Sequence, residues 1–225
     1  MNKTVGRQIW VLMIIAFSFL AFIIFGGAFS INKISGLTHK LYDHPYTVSN
    51  SVRDIKIGII SIHRSMKDVA RADSTEKFTN LSKLIELEEK KIFQAIAVTK
   101  SAFLGDKKNI NSLEKELITW RDIRTKVFDY SMKGDMQAAF MITKNEGNKQ
   151  VNQIISKIDF LLGFANSKGH EFITNTKSLQ TKALNIFIIG SLLILVLLSC
   201  VSHFTIRRIK NNLCQASKGI TVQSS

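Results

Sequence analysis

Three arginines stand where a guanidinium could grip a planar anion through two parallel hydrogen bonds: Arg64, and the pair Arg121 and Arg124 just after Trp120. The chemistry they suggest is recognition of a carboxylate; the plainer alternative is a solvated rim around Trp120 and Ile123. His63, next to Arg64, either joins such a site or sits at the margin of a core, bonded to a neighbour. Glu88 falls on an otherwise apolar seam, so it should open to solvent or pair with a basic residue of a facing helix, because a lone buried carboxylate is costly. Catalytic and metal spacings are missing. The five histidines (His39, His44, His63, His170 and His203) are dispersed, and no two of them share with an acid the helical spacing of a zinc site. There is no phosphate-cradling glycine loop and no nucleophile elbow. The expectation is a binding protein with no enzymatic activity, no cofactor and no metal.

Helices must position these residues. From Leu41 to Val69 the apolar positions Leu41, Val48, Val52, Ile55, Ile59, Ile62, Met66 and Val69 recur almost throughout at steps of three and four, the seam of a helix packed lengthwise on others. His44, Thr47, Asn50, Arg53, His63, Arg64, Lys67 and Asp68 ride on its other faces. Pro45 predicts a bend or break near His44, since proline removes an amide donor and disfavours helix at the residue before it. A second helix is expected from a cap within Asp73-Ser74-Thr75-Glu76 to about Leu104, with Phe78, Leu81, Ile85, Ile92, Ala95, Thr99 and Ala102 on its seam. Asn109 or Asn111 would cap a third, whose seam reads Leu113, Leu117, Trp120, Ile123 or Arg124, Val127 and Tyr130. After Lys133-Gly134-Asp135 a fourth begins. Beyond a polar patch at residues 144–150 it runs through Val151, Ile155, Ile158, Leu162 and Ala165 and on to Ala183 without a breaker. The fold class this predicts is all-α: an antiparallel up-down-up-down four-helix bundle between two transmembrane helices.

The transmembrane reading comes from two uncharged apolar runs, Ile9 to Phe29 and Ala183 to Val201, of 21 and 19 residues, where about 20 suffice to cross a bilayer. Lys3, Arg7 and Gly26-Gly27-Ala28 would also suit a cleaved secretory signal, but the first run exceeds the roughly 7–15 residues of such cores, so an uncut anchor is expected. Positive charge flanks the outer ends of both runs, at Lys3 and Arg7 and at Arg207, Arg208 and Lys210, which places both termini in the cytoplasm. The chain then divides into a cytoplasmic 1–8, a span 9–29, an extracytoplasmic 30–182, a span 183–204 and a cytoplasmic 205–225, in the inner membrane. All 17 acidic residues lie between the spans with 25 of the 31 basic ones, a net of +8 there. A domain tethered outside the cytoplasm has no access to nucleic acid, so the basic balance points instead to an anionic ligand or lipid headgroups. Cys200 and Cys214 fall in or beyond the second span, and no disulfide is expected.

His44-Pro-Tyr-Thr-Val-Ser-Asn50 followed by Ile62-His-Arg-Ser-Met-Lys-Asp68 resembles the first helix of the four-helix-bundle sensor domain of bacterial methyl-accepting chemotaxis proteins, a domain also found on sensor histidine kinases and diguanylate cyclases. Trp120-Arg-Asp-Ile-Arg124, Gly134 and Ile142-Thr-Lys-Asn-Glu-Gly147 are similar to later parts of the same family, over about residues 1–210. The resemblance implies binding of a small ligand or a periplasmic binding protein, transmission across the membrane, and homodimers. It also gives His44, Pro45, Asn50 and Trp120 structural parts as family marks. In that family a HAMP module follows the second span. Leu213, Ala216 and Ile220 match the spacing of its first helix, Ile209 stands where its usual proline would be, and the sequence closes at Ser225. The function expected is a chemoreceptor-type sensor lacking its own output domain. The alternatives are a membrane subunit that modulates full-length receptors by mixed dimerisation, and a non-functional truncated remnant.

Overall fold

The stepping of three and four turns one face of a helix inward, and in α2 (Thr47–Val69) that face is Val48, Val52, Ile55, Ile59, Ile62, Met66 and Val69, each at most 2% exposed. The computed structural model describes residues 3–222, with side chains from Gly6 to Asn211 apart from Gln8, Leu12 and Ile209. The HAMP-like positions Ile209, Leu213, Ala216 and Ile220 therefore lie outside the described side chains, as does Cys214. Every element is helical: α1 (Lys3–Leu41), α2, α3 (Thr75–Ala102), α4 (Lys108–Met132), α5 (Met136–Ile142) and α6 (Asn148–Val222), with wide π-type turns at Tyr42–Tyr46 and Thr143–Gly147. The described residues fall in two compact units, Leu37–Thr174 and a second made of the stretches before and after it.

In the Leu37–Thr174 unit the core draws on four helical stretches. Ile85, Ile92 and Ile96 of α3, Ile110, Leu113, Leu117, Trp120 and Val127 of α4, and Val151, Ile154, Ile158, Leu161 and Ala165 of α6 close over the α2 stripe. Polar pairs report direction. Lys56 meets Asp159 and His63 meets Asn148, while Ser112 meets Lys157 and Glu116 meets Gln150, so numbers rise in one helix as they fall in its neighbour. The α2–α3 contact is tight at Gly58, where a Cβ would lie 2.8 Å from the Ile92 side chain.

The helix ends follow from local chemistry. Ser74 accepts from the Lys77 amide and Asp135 from the Ala138 amide, each satisfying a free donor of a first turn. The α4 start differs from expectation: Asp106, ahead of Asn109 and Asn111, accepts from the Lys108 amide. Gly134, at φ +81°, makes the left-handed turn that leads into α5.

Pro45 does not break the chain. It is buried inside the π-type turn, where the Thr47 amide and hydroxyl both donate to the Tyr42 carbonyl and the Tyr42 and Tyr46 rings stack at 5.1 Å. Widening the turn relieves the clash of the proline ring with the carbonyl four residues back. His44 Nδ1 donates to the Ala102 carbonyl, 3.0 Å away, and so satisfies an orphan acceptor in the last turn of α3.

In the second unit, α1 and α6 each hold an 18-residue window of mean hydropathy 2.7 with no residue of it buried, long and apolar enough to cross a membrane. Gly26 of α1 packs against the Phe187 ring of α6, and Phe22 meets that ring edge-on at 6.2 Å.

Candidate functional site

A guanidinium buried in a helical core needs a counter-charge and a flat apolar surface, and Arg124 has both. It is 4% exposed, its Nη2 donates to Glu89 Oε1 of α3, and its guanidinium lies 4.8 Å from the centre of the Trp120 ring. Arg121, one turn earlier, donates from Nε to the same Glu89 oxygen at 2.9 Å and lies over the Phe93 ring. Two guanidinium groups thus share one carboxylate, leaving one positive charge over. Burial pulls the Arg124 pKa below its usual value, Glu89 opposes that shift, and Arg121 adds to it. A guanidinium does not lose its proton at neutral pH, so the group stays charged. Its Nε is buried and has no partner among the described residues.

Beside this triad α3 and α4 leave an open cleft of about 340 Å³, walled by Phe78, Ile85, Phe128 and Met132, with Ser82, Thr125 and Glu86 at its edge. A second cleft of about 590 Å³ adjoins it along Lys83, Glu86, Lys90 and Arg121. Counting both, four basic side chains stand against two acidic ones. An apolar wall ending at surplus positive charge suits a molecule with a carboxylate at one end and a hydrocarbon body.

The other sequence candidates lie elsewhere. Arg64 is exposed on α2 and makes no hydrogen bond or ion pair among the described residues. His63 is half-buried, and its Nε2 donates to Asn148 Oδ1, which can only accept, at 2.8 Å. Burial lowers its pKa, against the raising effect of Asn148 and with a smaller lowering from Lys67. Glu88 pairs with Lys91 of its own helix at 2.7 Å and, among the described residues, with no base of a facing helix. The facing-helix ion pair belongs to Glu89. Sequence stepping put Glu88 and Ala95 on the seam, but the larger Ile96 takes the core position, at 2% exposure, and rotates Glu89 toward α4. Asn50 accepts a long 3.5 Å contact from Arg53, and Trp120, 2% exposed, carries the Arg124 stack.

The structure therefore brings Arg121, Arg124 and Trp120 together and leaves Arg64, His63 and Glu88 apart. Glu89, Phe93 and Phe128 are not singled out by the sequence pattern, and Phe78 enters there only as a seam residue of the second helix. The signal for Glu89 was Ile96, seven residues on. Among the described residues no group of three His, Cys, Asp or Glu side chains could hold a metal ion. Compared with known proteins, residues 2–180 match the family model described as a four-helix-bundle sensory module for signal transduction. No curated protein and no solved structure matches the chain.

Proposed function

Because the chain belongs to the family of four-helix-bundle sensory modules for signal transduction, we propose that it is a chemoreceptor-type transmembrane sensor whose α3–α4 cleft binds a carboxylate with an apolar body. The observation that supports this most directly is the buried Arg124 guanidinium, with an unpartnered Nε, at the head of a cleft walled by Phe78 and Phe128. A carboxylate entering there meets Arg121 at the rim and packs its hydrocarbon part on the aromatic wall.

In this reading the apolar stretches of α1 and α6 cross the inner membrane with both termini cytoplasmic, and Leu37–Thr174 stands outside as an up-down-up-down bundle in a homodimer. Uninterrupted helix from Asn148 to Val222 supports a signal carried along α6, since small axial shifts of a helix are a known switching mode. Output rests with a partner or a following cytoplasmic segment.

The test is thermal unfolding of the full chain in detergent micelles against aliphatic and aromatic monocarboxylates at millimolar concentration. A ligand that binds the folded state alone raises Tm with concentration. Arg121→Gln should weaken that response about tenfold or more while leaving the unliganded Tm within a few degrees. If no carboxylate raises Tm, or the variant responds like the native chain, the cleft is not the sensing site.

A further inference from the structure

We infer that the chain holds an anionic phospholipid between α1 and α6, at the boundary where both helices leave their apolar runs. Residues 1–36 and 175–225 contain no aspartate or glutamate. Within that unit α1 and α6 leave a cleft of about 350 Å³ whose sides include Phe22, Phe29 and Phe187 and whose lining also includes Lys33 and Lys182. Gly26 lines the cleft opposite Phe187, and a Cβ there would come within 3.2 Å of the Phe187 ring.

The position along the chain matters as much as the shape. Lys33 is the first charged residue after the uncharged run Ile9 to Phe29, and Lys182 is the last before Ala183 to Val201. Both are exposed, and the Lys33 ammonium lies 5.0 Å from the centre of the Phe29 ring. Two ammonium groups at the end of an aromatic cleft, with no carboxylate in their unit to neutralise them, match a phosphate headgroup with an acyl chain below it. A second copy of the chain is the poorer occupant. It would bring another Lys33 and Lys182 to the same place, and no acid from its own unit to offset them.

The inference rests on the membrane reading of α1 and α6, not on the carboxylate cleft. The experiment is native mass spectrometry of the full chain, extracted from membranes and exchanged into micelles doped with phosphatidylglycerol or phosphatidylcholine. Retention of phosphatidylglycerol should exceed that of phosphatidylcholine by on the order of tenfold, and Lys33→Ala with Lys182→Ala should abolish the preference. Gly26→Leu, which fills the cleft, should reduce retention of both lipids, with circular dichroism checking that the helices persist. Equal retention of the two lipids by the native chain, or a preference unchanged in the double lysine variant, would overturn the assignment. So would a dimer carrying no phospholipid, which gives the cleft to a second copy. Recovery of the chain in the soluble fraction would sink the membrane reading and this site with it.

Discussion

Glu88 and Glu89 are neighbours on α3 with nearly equal side-chain exposure, 22% and 20%, yet they turn to different helices. On the α2 side, Glu88 lies near Gly58, and its partner Lys91 belongs to its own helix and is 69% exposed. On the α4 side, Glu89 is the counter-charge to a guanidinium 4% exposed and to a second at the rim. One step along the backbone separates a solvent-screened pair from a carboxylate on which a buried cation depends. The difference teaches that the value of an ion pair here is set by what its loss leaves behind.

Removing each partner in turn breaks or sharpens that contrast. Glu89→Gln should cost the most, about 3–5 kcal/mol, because it strands Arg124 in the core without a counter-charge. Urea unfolding of the full chain in micelles measures it, and a loss under 1 kcal/mol would mean that Trp120 and water suffice for Arg124. Gly58→Ala tests the α2 face by sterics instead of charge. Its Cβ meets Ile92 at 2.8 Å, so a destabilisation of about 1–3 kcal/mol is expected in the same assay. Glu88→Gln should change stability by about 0.5 kcal/mol or less, as for an exposed pair three residues apart on one helix. An effect matching that of Glu89→Gln would erase the distinction between the faces.

The mildest effect is expected from His63, whose bond to Asn148 joins α2 to α6. Burial holds its folded pKa below the 6.5 of the unfolded chain, so the unfolded state takes up the proton more readily. Its contribution is fully present above about pH 6.5 and is lost as pH falls below that value. His63→Gln should flatten the stability profile in this window. An unchanged slope would assign the pH dependence to other groups.

How much of this could be read from the sequence differs helix by helix. The α2 stripe was legible from Val48 to Val69 because its apolar residues are large, β-branched or both and leave no competing register. On α3 two registers compete, through Ala95 or through Ile96, and only volume decides between them. On α4 the alternatives Ile123 and Arg124 were both open, and the structure buries the charged one. A linear pattern does not decide between them, since the burial of Arg124 depends on Glu89, 35 positions earlier on another helix. On α6 the same ambiguity resolves to Ile154 and Leu161, both fully buried, over Ile155 and Leu162. Carboxylate recognition by Arg121 and Arg124 was readable as chemistry, but Arg64 shares that chemistry and not the place.

The turn at Pro45 was foreseeable as a disturbance; the one at Thr143–Gly147 has no proline to mark it. Both have a consequence for how the chain tolerates changes in length. Each wide turn holds one residue more than α-helical geometry requires. Deleting a residue elsewhere in these helices turns everything beyond it by about 100° and swings a buried stripe toward water. Deleting one within Thr143–Gly147 can close the turn to ordinary α geometry and leave Ala139 on one side and Val151 on the other facing the same core. Those five residues hold one residue of spare length, a place where the helix can lose a residue and keep its phase.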